Sequence, residues 1–332
     1  VQTLRDFIEK INIRAKVTWN EPMSAHTTFK IGGPADAFVR PYDAPSASAL
    51  LAAARAEGID LFVLGGGANV LVGDKGFRGI VMDLGELRSI RLEPPSGSGP
   101  DARAAVLVAG AGLSIDELCL EALARGLGGL EDFFGMPGSA GGAVYMNARC
   151  YEREMSQALD WATSVDGSGR VTRRAVPRPS GAAVAGATPP AGWGYKRSPY
   201  QPGGEASGEL ILEAAFRLTR LDDAGAARAA AAMRARRADR EAKGHYRLPS
   251  AGSVFKNDRS LGAPTGRLLD GLGLRGRAIG GAMVSPWHAN IFVNSGGATA
   301  ADMRALIELA RGEARKALGA ELEPEVLMVG EF

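Results

Sequence analysis

Two glycine-dense stretches are the clearest places in this chain where backbone could do chemistry. Leu61–Leu64 is a short apolar run that leads directly into Gly65-Gly66-Gly67-Ala68-Asn69-Val70-Leu71. A second cluster, GMPGSAGG, lies at Gly135–Gly142 within Gly129–Asn147. Glycine lets a backbone N–H approach an anion with no Cβ in the way. The second cluster runs into GSAGGAVYMN, which reads as the opening of a helix or tight turn whose first N–H groups can hold phosphate. Two such loops together suit a pyrophosphate gripped from both sides. Either loop alone is equally an ordinary glycine-rich turn.

Side chains add two candidates. Ser253 lies in the run Gly252–Asn257, flanked by Lys256 and Asn257, where a hydroxyl on a tight turn can donate a proton or serve as a cap. Glu325 sits in LEPEV, at the start of an expected strand, as an active-site carboxylate or a surface residue; position alone favours the surface. Several common motifs are missing. No GxxxxGK[ST] loop and no G-x-S-x-G elbow occur. Gly271-Leu-Gly273-Leu-Arg-Gly276 matches GxGxxG, but follows a helix and precedes a strand, so it reads as a helix-ending turn. His26, His245 and His288 are isolated, and no His/Cys spacing suits a metal.

Periodicity supplies the elements that would carry these residues. Helical spacing marks Leu4–Ile13, Ser46–Ala56, Ala224–Lys243, Pro264–Leu272 and Thr299–Leu318, and Ser114 with Glu117 forms a capping box for a helix to about Arg125. Strands are expected at Ala35–Pro41, Leu61–Leu64, Ile80–Leu84, Ala104–Ala109, Leu210–Leu218, Ile279–Val284, Asn290–Asn294 and Glu323–Val329. His26–Gly33 reads as polar, then strand-like. Trp161–Val165 and Gly169–Arg173 form a hairpin around Asp166–Gly167. Pro94–Pro100 and Val176–Gly194 are loops. A shift to Ala/Arg composition near Leu221 marks a domain boundary.

The 332 residues suffice for two or three domains, with 45% hydrophobic content to build cores. The balance of 39 Lys+Arg against 37 Asp+Glu gives no electrostatic footprint for nucleic acid or a membrane surface. No apolar run of about 20 residues is present. Cys119 and Cys150 read as reduced thiols of a cytoplasmic protein, and the N-terminal stretch as an amphipathic helix without a signal-peptide core.

The order of seven segments carries a resemblance. They are HTTFKIGGPA (His26–Ala35), LGGGANVLV (Leu64–Val72), GMPGSAGGAVYMNA (Gly135–Ala148), GYKRSPYQ (Gly194–Gln201), PSAGSVFKN (Pro249–Asn257), IGGAMVSPWHANIFVN (Ile279–Asn294) and LEPEV (Leu322–Val326). In this the chain resembles the UDP-N-acetylenolpyruvoylglucosamine reductases, flavoenzymes of peptidoglycan precursor synthesis. The resemblance implies an α+β protein. Residues 1–84 and 85–220 would form a two-subdomain FAD-binding fold of the vanillyl-alcohol-oxidase type, and residues 221–332 a C-terminal α+β substrate domain. FAD would be held by Gly65, Gly66, Gly67, Ala68, Asn69, Val70 and Leu71, and by Pro137, Gly138, Ser139, Gly142, Ala143 and Asn147. Arg240, Lys243, Asn257 and His288 would contact the substrate. Ser253, Glu325 and Lys196 would be catalytic, with no metal.

The implied reaction uses NADPH to reduce FAD, and flavin N5 then passes hydride to the vinyl carbon of UDP-N-acetylglucosamine enolpyruvate distal to its carboxylate. Lys196 and a protonated Glu325 would polarise that carboxylate, and Ser253 would protonate the neighbouring carbon. A hydroxyl can serve as acid here because the carbanion is strongly basic. The implied protein is a cytoplasmic monomer. An oxygen-reactive flavin oxidase and an inactive sugar-nucleotide-binding regulator are the competing classes; the C-terminal segments oppose the first, and the presence of both Ser253 and Glu325 opposes the second. The chain departs from the family pattern in four places. Lys196 stands for a common Arg, losing a bidentate fork. Arg149 stands where Gly is usual, either disfavouring a left-handed backbone or adding a phosphate contact. Asp258 stands for a usual Pro. The short connection after Asn257 lacks the Tyr-bearing insertion of some relatives.

Overall fold

The strand Leu210–Arg220 is the centre of one of the two units into which the chain divides. The structure, a computed structural model, describes residues 2–94, 103–177 and 190–332. Most of the two loops expected at Pro94–Pro100 and Val176–Gly194 therefore lies outside the described residues. One unit comprises Val1–Val17, Val39–Gly66 and Val81–Arg237, and the other Thr18–Phe38, Gly67–Ile80 and Ala238–Phe332. The chain passes from one to the other inside the strands Ala15–Pro22, Pro34–Pro41 and Phe77–Asp83, between Gly66 and Gly67, and inside the helix Asp223–Ala242.

In the first unit Leu210–Arg220 pairs antiparallel with Leu159–Val165 on one side and Ala104–Gly110 on the other. Val171–Ala175 and Ile90–Glu93 extend the sheet at its two ends, and Leu127–Gly128 pairs beside them with Leu210–Arg220. All seven residues of Ala104–Gly110 are buried, as an uninterrupted apolar strand must be when both faces are covered. Val106, Val108, Trp161 and Ala215 form one cluster of its core. The helix Ile115–Ala124 starts at Ser114 with the expected capping box to Glu117. The expected hairpin joins Val165 to Val171, with Asp166 accepting from the backbone of Ser168 and Arg170.

The second unit holds an antiparallel sheet in the order Ser250–Ser253, Ile291–Asn294, Ala282–Val284, Ala278–Ile279. The helix Ala300–Leu318 buries Ala300, Met303, Leu306, Ile307, Ala310 and Ala314, the apolar stripe of an amphipathic helix. These residues join Phe255, Phe292, Val284, Leu71 and Val326 in one core. Thr299 caps the helix, and the Asp74 carboxylate accepts from the N–H groups of Ala300 and Ala301 at 2.7 and 2.9 Å. Leu327–Val329 pairs parallel with Val70–Val72.

Three expected strands differ. His26–Gly33 is a turn: Lys30 has φ +57°, and its N–H and the Thr27 hydroxyl close local hydrogen bonds in place of a ladder. Ile279–Val284 is split by Gly280, at φ +52°, into the paired strands Ala278–Ile279 and Ala282–Val284. The final strand begins only at Leu327; Pro324 has no N–H to continue a ladder and makes an isolated bridge to Phe255.

Candidate flavin and substrate site

In the first unit the two glycine loops meet backbone to backbone. A Cβ on Gly65 would lie 2.7 Å from Ser139 Oγ, and one on Gly66 would lie 2.7 Å from Gly138 Cα. The second is too short for any side chain, because its obstacle is main chain. Gly138 itself has φ +127°, and Pro137 beside it is exposed. The helix Ala140–Tyr145 does not offer its leading N–H groups to an anion, contrary to expectation. Ala140 donates to Leu113 O at 2.8 Å, Gly141 to Ala111 O at 2.9 Å, Gly142 to Ser139 Oγ at 3.3 Å and Ala143 to Ser139 O at 2.8 Å. What this turn offers is a tightly tied, glycine-lined surface. Ser139 and Ala143 are buried and shape it from within.

Asn147 is fully buried at φ +40°. Its Nδ2 donates to Gly194 O at 2.7 Å and to Glu154 Oε2 at 3.0 Å, and its Oδ1 accepts from Ser156 N–H. Its amide is thus spent inside the chain, which corrects the expectation of a cofactor contact. The segment it holds is the turn bearing Lys196. Gly194 and Arg197 exchange two backbone hydrogen bonds of 3.0 Å, and Lys196 sits between them at φ +56°. A side chain costs order 1 kcal/mol or more in this conformation. Arg149, in contrast, lies in the short strand Arg149–Cys150; Asn147 and Tyr151 take the positive φ values here. Its guanidinium pairs with Glu152 at 2.6 Å and Glu154 at 3.6 Å, and lies 5.7 Å from the centre of the Tyr195 ring.

In the second unit Gly67 is buried at φ +63°, and its carbonyl accepts from Thr28 N–H and Oγ. Ala68 and Asn69 are half-buried, whereas Val70 and Leu71 are strand residues facing the core. With no surface exposed, Leu71 supports the loop from behind; the expectation of a cofactor contact fails for it.

Ser253 closes the strand Ser250–Ser253. Between Ser250, opposite Val293, and Ser253, opposite Ile291, the register slips at Gly252, whose φ is +72°. Such a bulge re-aims the side chain that follows it. Buried Asn290 then fixes the next residues: its Oδ1 accepts from Phe255 N–H at 3.0 Å and its Nδ2 donates to Phe255 O at 2.8 Å. In the sequence, an amide amid apolar residues is the one signal that marks Asn290. Glu325 donates its backbone N–H to Val254 O at 2.7 Å, so Glu325 and Ser253 stand on adjoining segments.

A second group gathers Arg240, Lys243, His245 and His288. Arg240 is buried, and Lys243 pairs with Asp239 at 2.6 Å. The two imidazole rings are 6.4 Å apart. Burial and then the Arg240 charge push His245 down to about 4; burial and then Lys243 lower His288. His288 Nδ1 accepts from Asn290 N–H at 3.2 Å, which leaves the ring proton of the neutral form on Nε2, as a donor. Asn257 is exposed, and its Oδ1 accepts from Thr265 N–H at 2.9 Å at the start of the helix Thr265–Gly271. Asp258 caps the short turn Arg259–Leu261 by accepting from Ser260 N–H.

Cys119 and Cys150 are both free and buried, and burial raises the Cys119 thiol pKa. Among the described residues no group of three or more His, Cys, Asp or Glu gathers to hold a metal, and no helix is long and apolar enough to cross a membrane.

Residues 35–174 match the family described as FAD binding domain, and residues 244–329 that described as UDP-N-acetylenolpyruvoylglucosamine reductase, C-terminal domain. This pairing, on an α+β fold, defines an FAD-dependent oxidoreductase. The UDP-N-acetylenolpyruvoylglucosamine reductase of Treponema denticola is 36% identical over 322 residues, covering 95% of this chain and 94% of its own. That of Desulfosudis oleivorans is 38% identical, covering 96% of each. The crystal structure of the Thermus caldophilus enzyme superposes with a TM-score of 0.71 at 28% identity, covering 96% of this chain and 99% of its own. The chain belongs to the UDP-N-acetylenolpyruvoylglucosamine reductase family.

Proposed function

We propose that this chain reduces UDP-N-acetylglucosamine enolpyruvate to UDP-N-acetylmuramate, with NADPH as reductant and FAD as bound cofactor, in peptidoglycan precursor synthesis. The observation that carries this reading is the identity of 36–38% with reductases of this name over nearly the whole chain. The glycine loops fit the cofactor: Gly66 approaches the Gly138 main chain, and Gly65 the Ser139 hydroxyl, so closely that neither position has room for a side chain, as a pyrophosphate cradle needs. When bound, FAD takes a hydride from NADPH and returns it to the substrate's vinyl carbon.

The residues of the chain do the rest. Lys196 holds the substrate carboxylate by its charge, and Glu325 polarises it. Ser253 delivers a proton to the carbon bearing that carboxylate, so one hydride and one proton saturate the double bond. Arg240, Lys243 and Nε2–H of His288 bind the anionic sugar nucleotide, and Asn257 contributes at its edge. In this reading the chain has three domains, 1–84, 85–220 and 221–332. It works as a cytoplasmic monomer without nucleic-acid or membrane partners, in keeping with its balanced charge.

The test is NADPH oxidation followed with and without the enolpyruvyl sugar nucleotide. Purified protein should carry flavin, and oxidation should depend on that substrate. Indifference to it, with rapid reoxidation by oxygen, would assign the chain to a flavin oxidase. Ser253→Ala should leave flavin reduction by NADPH intact and slow reoxidation by substrate by about two orders of magnitude or more.

A further inference from the structure

The glycine loop does not end as a cofactor loop. Beyond Gly67 it closes on the segment that carries Glu325. Asn69 Nδ2 donates to the Glu325 carbonyl at 3.0 Å, and the Asn69 carbonyl accepts from Leu327 N–H at 3.0 Å. The two bonds bracket Val326, which is buried in the core. They also start the parallel ladder in which Leu327 faces Val70. On its other side Glu325 donates its own N–H to Val254 O at 2.7 Å, one residue after Ser253. Pro324 bridges Phe255. Both backbone polar groups of Glu325 are therefore used, one toward the Ser253 strand and one by the side chain of Asn69.

We infer that Asn69 is a positioning residue for Glu325: its carboxamide fixes the Glu325 backbone, and so the direction of the carboxyl, from within the loop that continues from Gly65 and Gly66. This rests on the proposed role of Glu325 and replaces the expectation that the Asn69 amide serves the cofactor. A side chain this short has few ways to turn. With Nδ2 on Glu325 O and its own carbonyl on Leu327 N–H, Asn69 is committed to the 325–327 segment at two points. The fixed backbone matters because aligning a polarising carboxyl within a fraction of an ångström is what makes it effective against a developing charge. The coupling also gives the loop a second function. Any shift of residues 67–71 moves Glu325 with it.

The experiment uses Asn69→Ala and the isosteric Asn69→Asp, which keeps the packing and removes the donor. FAD affinity is measured by flavin fluorescence on titrating the apoprotein. The two half-reactions are followed separately by stopped flow: flavin reduction by NADPH, and reoxidation by the enolpyruvyl sugar nucleotide. Both variants should slow reoxidation about tenfold, the equivalent of one lost hydrogen bond at the transition state. Reduction by NADPH and FAD affinity should change by no more than about twofold. In the double variant Asn69→Ala/Glu325→Gln, reoxidation should be no slower than in Glu325→Gln alone, since the first residue acts through the second. Parallel loss of FAD affinity and of both half-reactions would make Asn69 a cofactor contact and overturn the proposal. Unchanged reoxidation, or additive losses in the double variant, would overturn it too. If the Ala variant does not fold, the same comparisons on the Asp variant decide. Failure of the underlying reading is separable: it would appear as normal reoxidation in Glu325→Gln itself.

Discussion

Asn147 donates its side-chain amide to the carbonyl of Gly194 at 2.7 Å, two residues before Lys196. The donor is fully buried and the acceptor begins a turn in which a lysine holds a left-handed backbone. Gln201 secures the same turn from its far end, donating Nε2 to Lys196 O at 3.2 Å. The proposed catalytic cation is therefore placed by amides on both sides, and a strained conformation is retained where glycine would fit with less cost.

Asn147→Ala leaves the Gly194 carbonyl and the Ser156 N–H without this partner. We expect a loss of about 2–4 kcal/mol, measured as a lower urea midpoint at unchanged slope. Asn147→Asp should be at least as destabilising, since it sets a carboxylate against Gly194 O and Glu154. A near-neutral Asn147→Ala would show that the turn does not depend on this bond.

Arg149 pairs with Glu152 and Glu154 and lies under Tyr195, next to Lys196 in sequence. Glu154 in turn accepts from Asn147, so the arginine closes a ring of contacts around the turn. Arg149→Gly should cost about 1 kcal/mol in urea unfolding and raise KM for the sugar nucleotide, with Arg149→Lys intermediate. FAD affinity should hold. A large rise in the FAD dissociation constant would instead support the phosphate contact that the sequence left open.

Much of the fold was legible because its signals are local. The Ser114–Glu117 capping box, the stripe of Ala300–Leu318 and the helix-ending turn at Gly273 and Gly276 all depend on residues a few positions apart. The site was less legible where partners are distant. Nothing near Ala140 announces that Leu113 and Ala111 supply the carbonyls for its helix start. Asn147 and Leu71 lie in motifs read as cofactor-binding, yet burial turns both into internal supports. Pro324 did carry a local warning that the last strand starts late.

The approach of Gly66 to Gly138 gives a sharper test of the flavin cradle. A methyl group on Gly66 would press on the Cα and carbonyl carbon of Gly138 at 2.7 and 2.9 Å, and neither can swing aside as a side chain can. Gly66→Ala should lower FAD affinity at least about tenfold, read as flavin lost on gel filtration. Gly271→Ala is the control: outside its chain neighbours and its own helix backbone no atom lies within 4 Å of the added methyl, and its φ is not positive. Equal flavin retention in both variants would remove the Gly66–Gly138 approach from the cofactor site.

His245 makes stability depend on pH in a definite direction. Burial, and then the charge of Arg240, hold it at about 4 in the folded chain, against an ordinary value of 6.5. His288 and Lys243 add to the depression, and Asp239 opposes it. Between these two values the unfolded chain binds the proton more readily than the folded one. Stability is therefore complete above pH 6.5 and falls as pH drops from 6.5 toward 4. At pH 5 the loss due to this one group should be about 2 kcal/mol. His245→Gln should remove that part of the slope, so that its urea midpoints at pH 7 and pH 5 lie closer together than those of the unchanged chain. His288, also depressed, keeps a contribution of the same sign in both proteins. The same midpoint difference in both would mean that His245 is not held neutral by its surroundings.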